Sequence, residues 1–163
     1  MRTQLATALA LAVLTVAGHA SAADTASFGV QLVVQNACNI TAGGTAADMD
    51  FGTTISNIPA AIDRTTNLSV TCSNGAAYRI GLGNGANESA GQRRMANGAN
   101  FANYDLFRDD TRTAPWGALS TANALVGTGN GSLQSIPVYG RVPVQNGLVA
   151  GTYNDIVTAT IEY

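Results

Sequence analysis

Lysine is absent from this 163-residue chain, and its one histidine is His19. Without lysine there is no Schiff-base amine. Without an imidazole beyond residue 19 there is no His-based triad and no typical zinc ligand set. The eight basic residues are all arginine and lie scattered, and the formal net charge is −2. Phosphate binding needs a concentrated basic face, so nucleic acid is not an expected partner. Charged residues make up only 11% of the chain, too few for the charged faces of coiled coils and helical bundles. No apolar run reaches the roughly 18 residues needed to cross a membrane as a helix. The expectation is a protein without catalysis, cofactor, metal or direct membrane insertion.

What is present begins with an export pattern. Arg2 supplies a positive start, an apolar run of about a dozen residues follows from Leu5 to Ala17, and Ala20-Ser21-Ala22 offers small residues for cleavage. Residues 1–22 are therefore expected to be a secretory signal peptide. The remaining chain, about 141 residues, suits a single domain. Export also bears on the two cysteines, Cys38 and Cys72. In an oxidising compartment an isolated pair with no histidine nearby is most simply a structural disulfide.

Beyond the signal, the chain reads as strands and turns. No segment of ten or more residues carries a convincing helical period. Asn-Gly occurs five times, at Asn74, Asn84, Asn97, Asn130 and Asn146, and suits the positive φ angles of tight hairpins. Between these turns Leu68, Val70 and Cys72 alternate with polar residues, as do Tyr78, Ile80 and Leu82. Further runs begin at Tyr104 and Leu106, and at Ile136, Val138 and Tyr139. Short strands at this spacing predict a sandwich, not a parallel sheet.

Both ends of this domain alternate strongly. In residues 28–35, Phe28, Val30, Leu32 and Val34 share one face of an extended strand, with Val33 as an exception on the other. In residues 156–163, Val157, Ala159, Ile161 and Tyr163 share a face opposite Thr158, Thr160 and Glu162. On pattern alone each is read as an ordinary first or last strand paired within its own domain. A terminal strand with an apolar face must otherwise find a partner or stand as an exposed edge.

The ordered pieces of the chain resemble the spore coat protein U domain family, which contains the subunits of archaic chaperone–usher pili. The pieces are the signal and its following alternating strand, Asn36-Ala37-Cys38-Asn39-Ile40, Met49-Asp50-Phe51-Gly52, Leu68-Ser69-Val70-Thr71-Cys72, Tyr104-Asp105-Leu106-Phe107-Arg108-Asp109 with Trp116-Gly117, Ile136-Pro137-Val138-Tyr139-Gly140-Arg141-Val142-Pro143, and Gly151-x-Tyr153-x-Asp155 before the last strand. The resemblance implies an all-β fold: an incomplete immunoglobulin-like β-sandwich lacking its final strand, completed by donor-strand complementation. It divides the chain into a signal over 1–22, a donor extension over 23–36 and the sandwich over 37–163. It makes Phe28, Val30, Leu32 and Val34 the donor residues. It makes Val157, Ala159, Ile161 and Tyr163 the acceptor groove and chaperone contact. It implies other pilus subunits or copies of this chain, a periplasmic chaperone and an outer-membrane usher as partners. The chain would be secreted through the periplasm to a cell-surface pilus supporting adhesion and biofilm formation. The competing expectation is a secreted β-sandwich that folds alone and binds carbohydrate or protein.

Several patterns invite chemistry and are read more simply. Gly81-Leu82-Gly83-Asn84-Gly85-Ala86 fits a dinucleotide fingerprint by spelling, but no core-facing helix follows it and Asn84-Gly85 reads as a turn. Asp48 with Asp50, and Asp105 with Asp109 and Asp110, lack calcium-loop spacing and are expected in solvated loops. Trp116 could stack on a sugar, and packing at a sandwich edge is the preferred expectation.

Overall fold

Ladders run between strands far apart in sequence. The computed structural model describes residues 24–42 and 49–163, so the expected signal peptide and Asp48 lie outside the described residues. The chain divides into two units, Met1–Val33 and Val34–Tyr163. In the first, residues 24–33 carry neither helix nor strand.

The second unit is all β. Its strands are β1 (Cys38–Ala42), β2 (Ile62–Cys72), β3 (Ala77–Leu82), β4 (Arg94–Asn97), β5 (Asn100–Asn103), β6 (Asp105–Phe107), β7 (Leu125–Thr128), β8 (Leu133–Val142) and β9 (Ala159–Glu162). A four-stranded sheet runs β1-β2-β8-β6, a three-stranded sheet runs β7-β3-β9, and β4-β5 form a separate hairpin. All pairings are antiparallel. This is an immunoglobulin-like sandwich of two sheets.

The spine is the long β2–β8 ladder, from Ile62 opposite Val142 to Thr71 opposite Leu133. Period-2 alternation turns Leu68, Val70 and Cys72 of β2, and Val138 and Val142 of β8, into the core. Pro137 sits in β8 beyond the reach of β6, which pairs only with Tyr139 to Arg141. The proline therefore falls where the second edge of β8 carries no ladder, as its missing N–H requires. From the facing sheet, β3 contributes Tyr78, Ile80 and Leu82, all buried. Gly127 lies opposite Tyr78 and leaves room for the ring, since a Cβ there would collide with it.

Trp116 joins the two layers and is fully buried. Its backbone N–H donates to Leu106 O at 2.8 Å and its indole Nε1 donates to Ile80 O at 2.9 Å. Met49 and Phe51 pack against the same core, and Gly140 has no side chain because theirs occupy the space.

Three expectations need correction. First, residues 28–35 form no strand: residues 24–37 carry no ladder. Second, the terminal ladder spans Ala159–Glu162 and not residues 156–163, because the chain before Ala159 bonds instead to the turn after β3 and to β4. Third, of the five Asn-Gly pairs only Asn97-Gly98 closes a hairpin, β4–β5. There Gly98 (φ +60) is the sole positive-φ residue, as in a II′ turn, and not the I′ geometry that Asn-Gly favours. Asn74-Gly75 and Asn130-Gly131 instead carry the chain between sheets. They are held by Gly75 N–H to Gly129 O at 2.9 Å and Gly131 N–H to Cys72 O at 3.1 Å.

Candidate strand-acceptor site

The site is built from two sheet edges. β9 pairs with β3 along one edge, from Arg79 opposite Glu162 to Leu82 opposite Ala159. Its other edge carries no ladder among the described residues. β1 stands the same way at the end of the other sheet, paired only with β2. Cα atoms of β1 and β9 come within 8 Å of each other, yet no ladder joins them. Unpaired N–H and C=O groups thus line both edges, a template for an added strand.

Side chains make this template apolar. Val157, Ala159 and Ile161 turn toward the core and remain half-buried, alternating with exposed Thr158, Thr160 and Glu162. Cys38 and Ile40 of β1 do the same from the opposite edge. Residues in the middle of the sandwich, such as Ile80 and Val70, are fully buried. Burial therefore stops short at the β1 and β9 edges. Tyr163 is 59% exposed, beyond the ladder.

Cys38 and Cys72 are joined by a disulfide between directly opposed residues of β1 and β2. The bridge ties the β1 edge to the sheet spine, so this edge is fixed covalently while its outer side carries no ladder among the described residues. On the other wall, Arg79 forms a 3.7 Å ion pair with Glu162 and donates to Leu119 O and Thr121 O on the outer surface.

The alternating residues near the start of the chain are nearly free of cover. Phe28, Val30, Leu32 and Val34 are 86%, 86%, 85% and 82% exposed. Four large apolar side chains in one period-2 row, all in solvent, are a costly surface for a soluble state.

Other candidates fall into structural roles. Trp116, buried and hydrogen-bonded, presents no face for a sugar. Asp109 caps its own loop, accepting from the hydroxyls of Thr111 and Thr113 and from the N–H groups of Thr113 and Ala114. These donors hold its carboxyl well below the usual range. Gly81 lets Ala118 and Leu119 approach β3, and Gly85 makes a turn at φ +89, so the glycines meet packing needs.

Two features have roles that the sequence did not reveal. Arg93 is buried, with its guanidinium donating to Leu82 O, Gly83 O and Trp116 O at 3.0, 2.9 and 2.8 Å. Desolvation pulls its pKa down, while the three carbonyls satisfy the donors on Nε and Nη2. Asp155 accepts a 2.6 Å bond from the buried Tyr104 hydroxyl. Burial, and then that carboxylate, push the Tyr104 phenol far above its ordinary range, so it remains a donor.

Comparison with known proteins gives this geometry a context. The Spore Coat Protein U domain model matches residues 24–160. Protein U of Myxococcus xanthus is 35% identical over 177 aligned positions, covering 100% of this chain and 98% of its own length. Among solved structures, a chain of the CsuC–CsuE chaperone–tip adhesion subunit pre-assembly complex, from the archaic chaperone–usher Csu pili of Acinetobacter baumannii, is 26% identical with a TM-score of 0.58. That match covers 80% of this chain and 40% of the other, so this chain spans less than half of it.

Proposed function

The chain belongs to the Spore Coat Protein U domain family, and on that premise we propose that it is a structural subunit of a chaperone–usher pilus, assembled by donor-strand exchange. One observation carries the reading. A solvent-exposed apolar row, Phe28, Val30, Leu32 and Val34, occurs in the same chain as a sandwich whose β1 and β9 edges carry no second ladder among the described residues.

The physics of joining them is direct. A strand laid along the free edge of β9 gains main-chain hydrogen bonds there, and its alternate side chains complete burial over Val157, Ala159 and Ile161. Four such side chains contribute roughly 6–10 kcal/mol of transfer free energy before ordering costs. Because donor and acceptor are different surfaces, the contact is head-to-tail and propagates as a fibre. The donor extension precedes β1, and the sandwich begins near Cys38.

Before assembly the same open edge is an aggregation hazard. In this reading a periplasmic chaperone lends a strand to the edge and contacts Tyr163, and an outer-membrane usher hosts the exchange of that strand for a neighbour's residues 28–34. Export through the periplasm to a surface fibre, with roles in adhesion and biofilm formation, follows from the same reading.

The test is removal of residues 28–34. The shortened chain, co-expressed with its chaperone, is expected to form a soluble one-to-one complex and no polymers. Polymers from the shortened chain would overturn the proposal. A full chain that is a stable monomer without any chaperone would point instead to a self-sufficient surface domain.

A further inference from the structure

The segment Gly151-x-Tyr153-x-Asp155 lies outside the groove wall, and none of its side chains joins the half-buried row of Val157, Ala159 and Ile161. Its contacts run to β4, to the turn after β3 and to the core residue Tyr104. A Cβ at Gly151 would strike the Asn97 side chain, so only glycine lets the β4–β5 hairpin approach here. The Tyr153 hydroxyl donates to Val149 O at 2.9 Å and ties its own loop. Asn154 exchanges two backbone bonds with Ala96, at 2.8 and 3.0 Å.

Asp155 is the centre of the arrangement. Its carboxylate accepts from Asn87 N–H at 3.1 Å, from Asn87 Nδ2 at 3.0 Å and from the Tyr104 hydroxyl at 2.6 Å. It fills the space where a side chain on Gly85 would be. Directly after it, Ala86 N–H donates to Ile156 O at 3.1 Å and Gly83 N–H to Thr158 O at 2.9 Å. Arg93 holds the Gly83 carbonyl from beneath. The start of the terminal strand is thus fastened to the turn after β3 and to the core through Tyr104. The strand itself has a four-residue ladder on one edge only.

We propose that Asp155 and Tyr104 are positioning residues that hold β9 in place before a neighbouring strand arrives, so that the incoming strand meets a preformed edge. A four-residue edge strand with one partner is weakly held by itself. Fastening its entry makes ordering of β9 part of the folded subunit and removes that cost from strand uptake. This inference rests on the donor-strand reading above for its consequence, and on the hydrogen bonds alone for the fastening.

The experiment uses the full chain carrying Leu32→Asp, which keeps its own donor row from pairing, and a synthetic peptide with the sequence of residues 26–35. Tyr104→Phe and Asp155→Asn are each added to that background. Each preserves shape while removing a donor or a charge. Amide hydrogen exchange in residues 156–162 is expected to quicken about tenfold, the effect of losing one hydrogen bond to a charged acceptor. Amides of β2 and β8 are expected to stay as protected as in the parent, which a merely structural loss of global stability does not allow. Peptide uptake is expected to slow by a similar factor, and the double variant to add little beyond either single one. Unchanged exchange in residues 156–162, or equal quickening in β2 and β8, overturns the anchor. If the Leu32→Asp parent takes up no peptide, donor-strand exchange fails instead, and the exchange pattern still decides whether the anchor exists.

Discussion

Replacing Leu32 by aspartate separates folding from assembly. Leu32 is 85% exposed, so the subunit loses no packing when its side chain changes, and folding stability is expected to move by less than about 0.5 kcal/mol. If residues 28–34 supply a neighbour's missing strand, as proposed, the same side chain is buried in an apolar slot on assembly. Losing the leucine there forfeits about 2 kcal/mol of transfer free energy. Placing a carboxylate against the half-buried row of Val157, Ala159 and Ile161 costs at least about 2 kcal/mol more. The sum, at least about 4 kcal/mol, is roughly a thousandfold in association. The assay is sedimentation or size-exclusion chromatography of chaperone-released chain, alongside denaturant unfolding of the chaperone-bound form. Polymer formation by Leu32→Asp at the parent's level refutes the reasoning. So does a large drop in subunit stability, which would place Leu32 in the subunit's own core.

Three further outcomes follow from the structure. Reduction of the disulfide, or Cys38→Ser with Cys72→Ser, opens a loop of sequence separation 34 and is expected to cost about 4 kcal/mol in the chain-entropy model, read as a lower unfolding midpoint. Trp116→Phe leaves a cavity and removes the indole bond to Ile80 O, and is expected to destabilise by roughly 2–4 kcal/mol in denaturant unfolding. Asp63 is held below its ordinary 3.8, first by the two hydrogen bonds from Arg141 and then by the charges of Arg112 and Arg141. A lowered folded-state pKa adds stability that is complete above the unfolded value and fades as pH falls below about 4. Asp63→Asn should therefore flatten the acid limb of a stability–pH curve and leave its alkaline limb unchanged.

The sandwich was legible because its central strands alternate without interruption. Leu68, Val70 and Cys72, and Tyr78, Ile80 and Leu82, are buried as their period-2 pattern requires. The cysteine pairing was legible because no histidine lies beyond residue 19 to share a metal or activate a thiol. Turn geometry was less so, since Asn-Gly signals a positive φ but not whether the strands beside it share a sheet. Asn74-Gly75 and Asn130-Gly131 cross between sheets. The Phe28 row read as an ordinary strand because alternation records a buried face without saying which molecule buries it. Arg93 left no trace, and Asp155 stood out only as part of Gly151-x-Tyr153-x-Asp155, with nothing to say what it contacts. A buried charge satisfied by main-chain carbonyls, or a carboxylate filling the space beside a glycine, depends on loops whose approach no local pattern encodes.

The most direct test of the account asks which molecule supplies the strand beside β9. A photo-crosslinking residue is placed at Val30, and chains grown in light and heavy nitrogen are mixed before assembly. Donor-strand exchange predicts mixed light–heavy crosslinks from position 30 to residues 38–42 and 157–163. Crosslinks confined to chains of a single isotope, or absent from both edges, would contradict it.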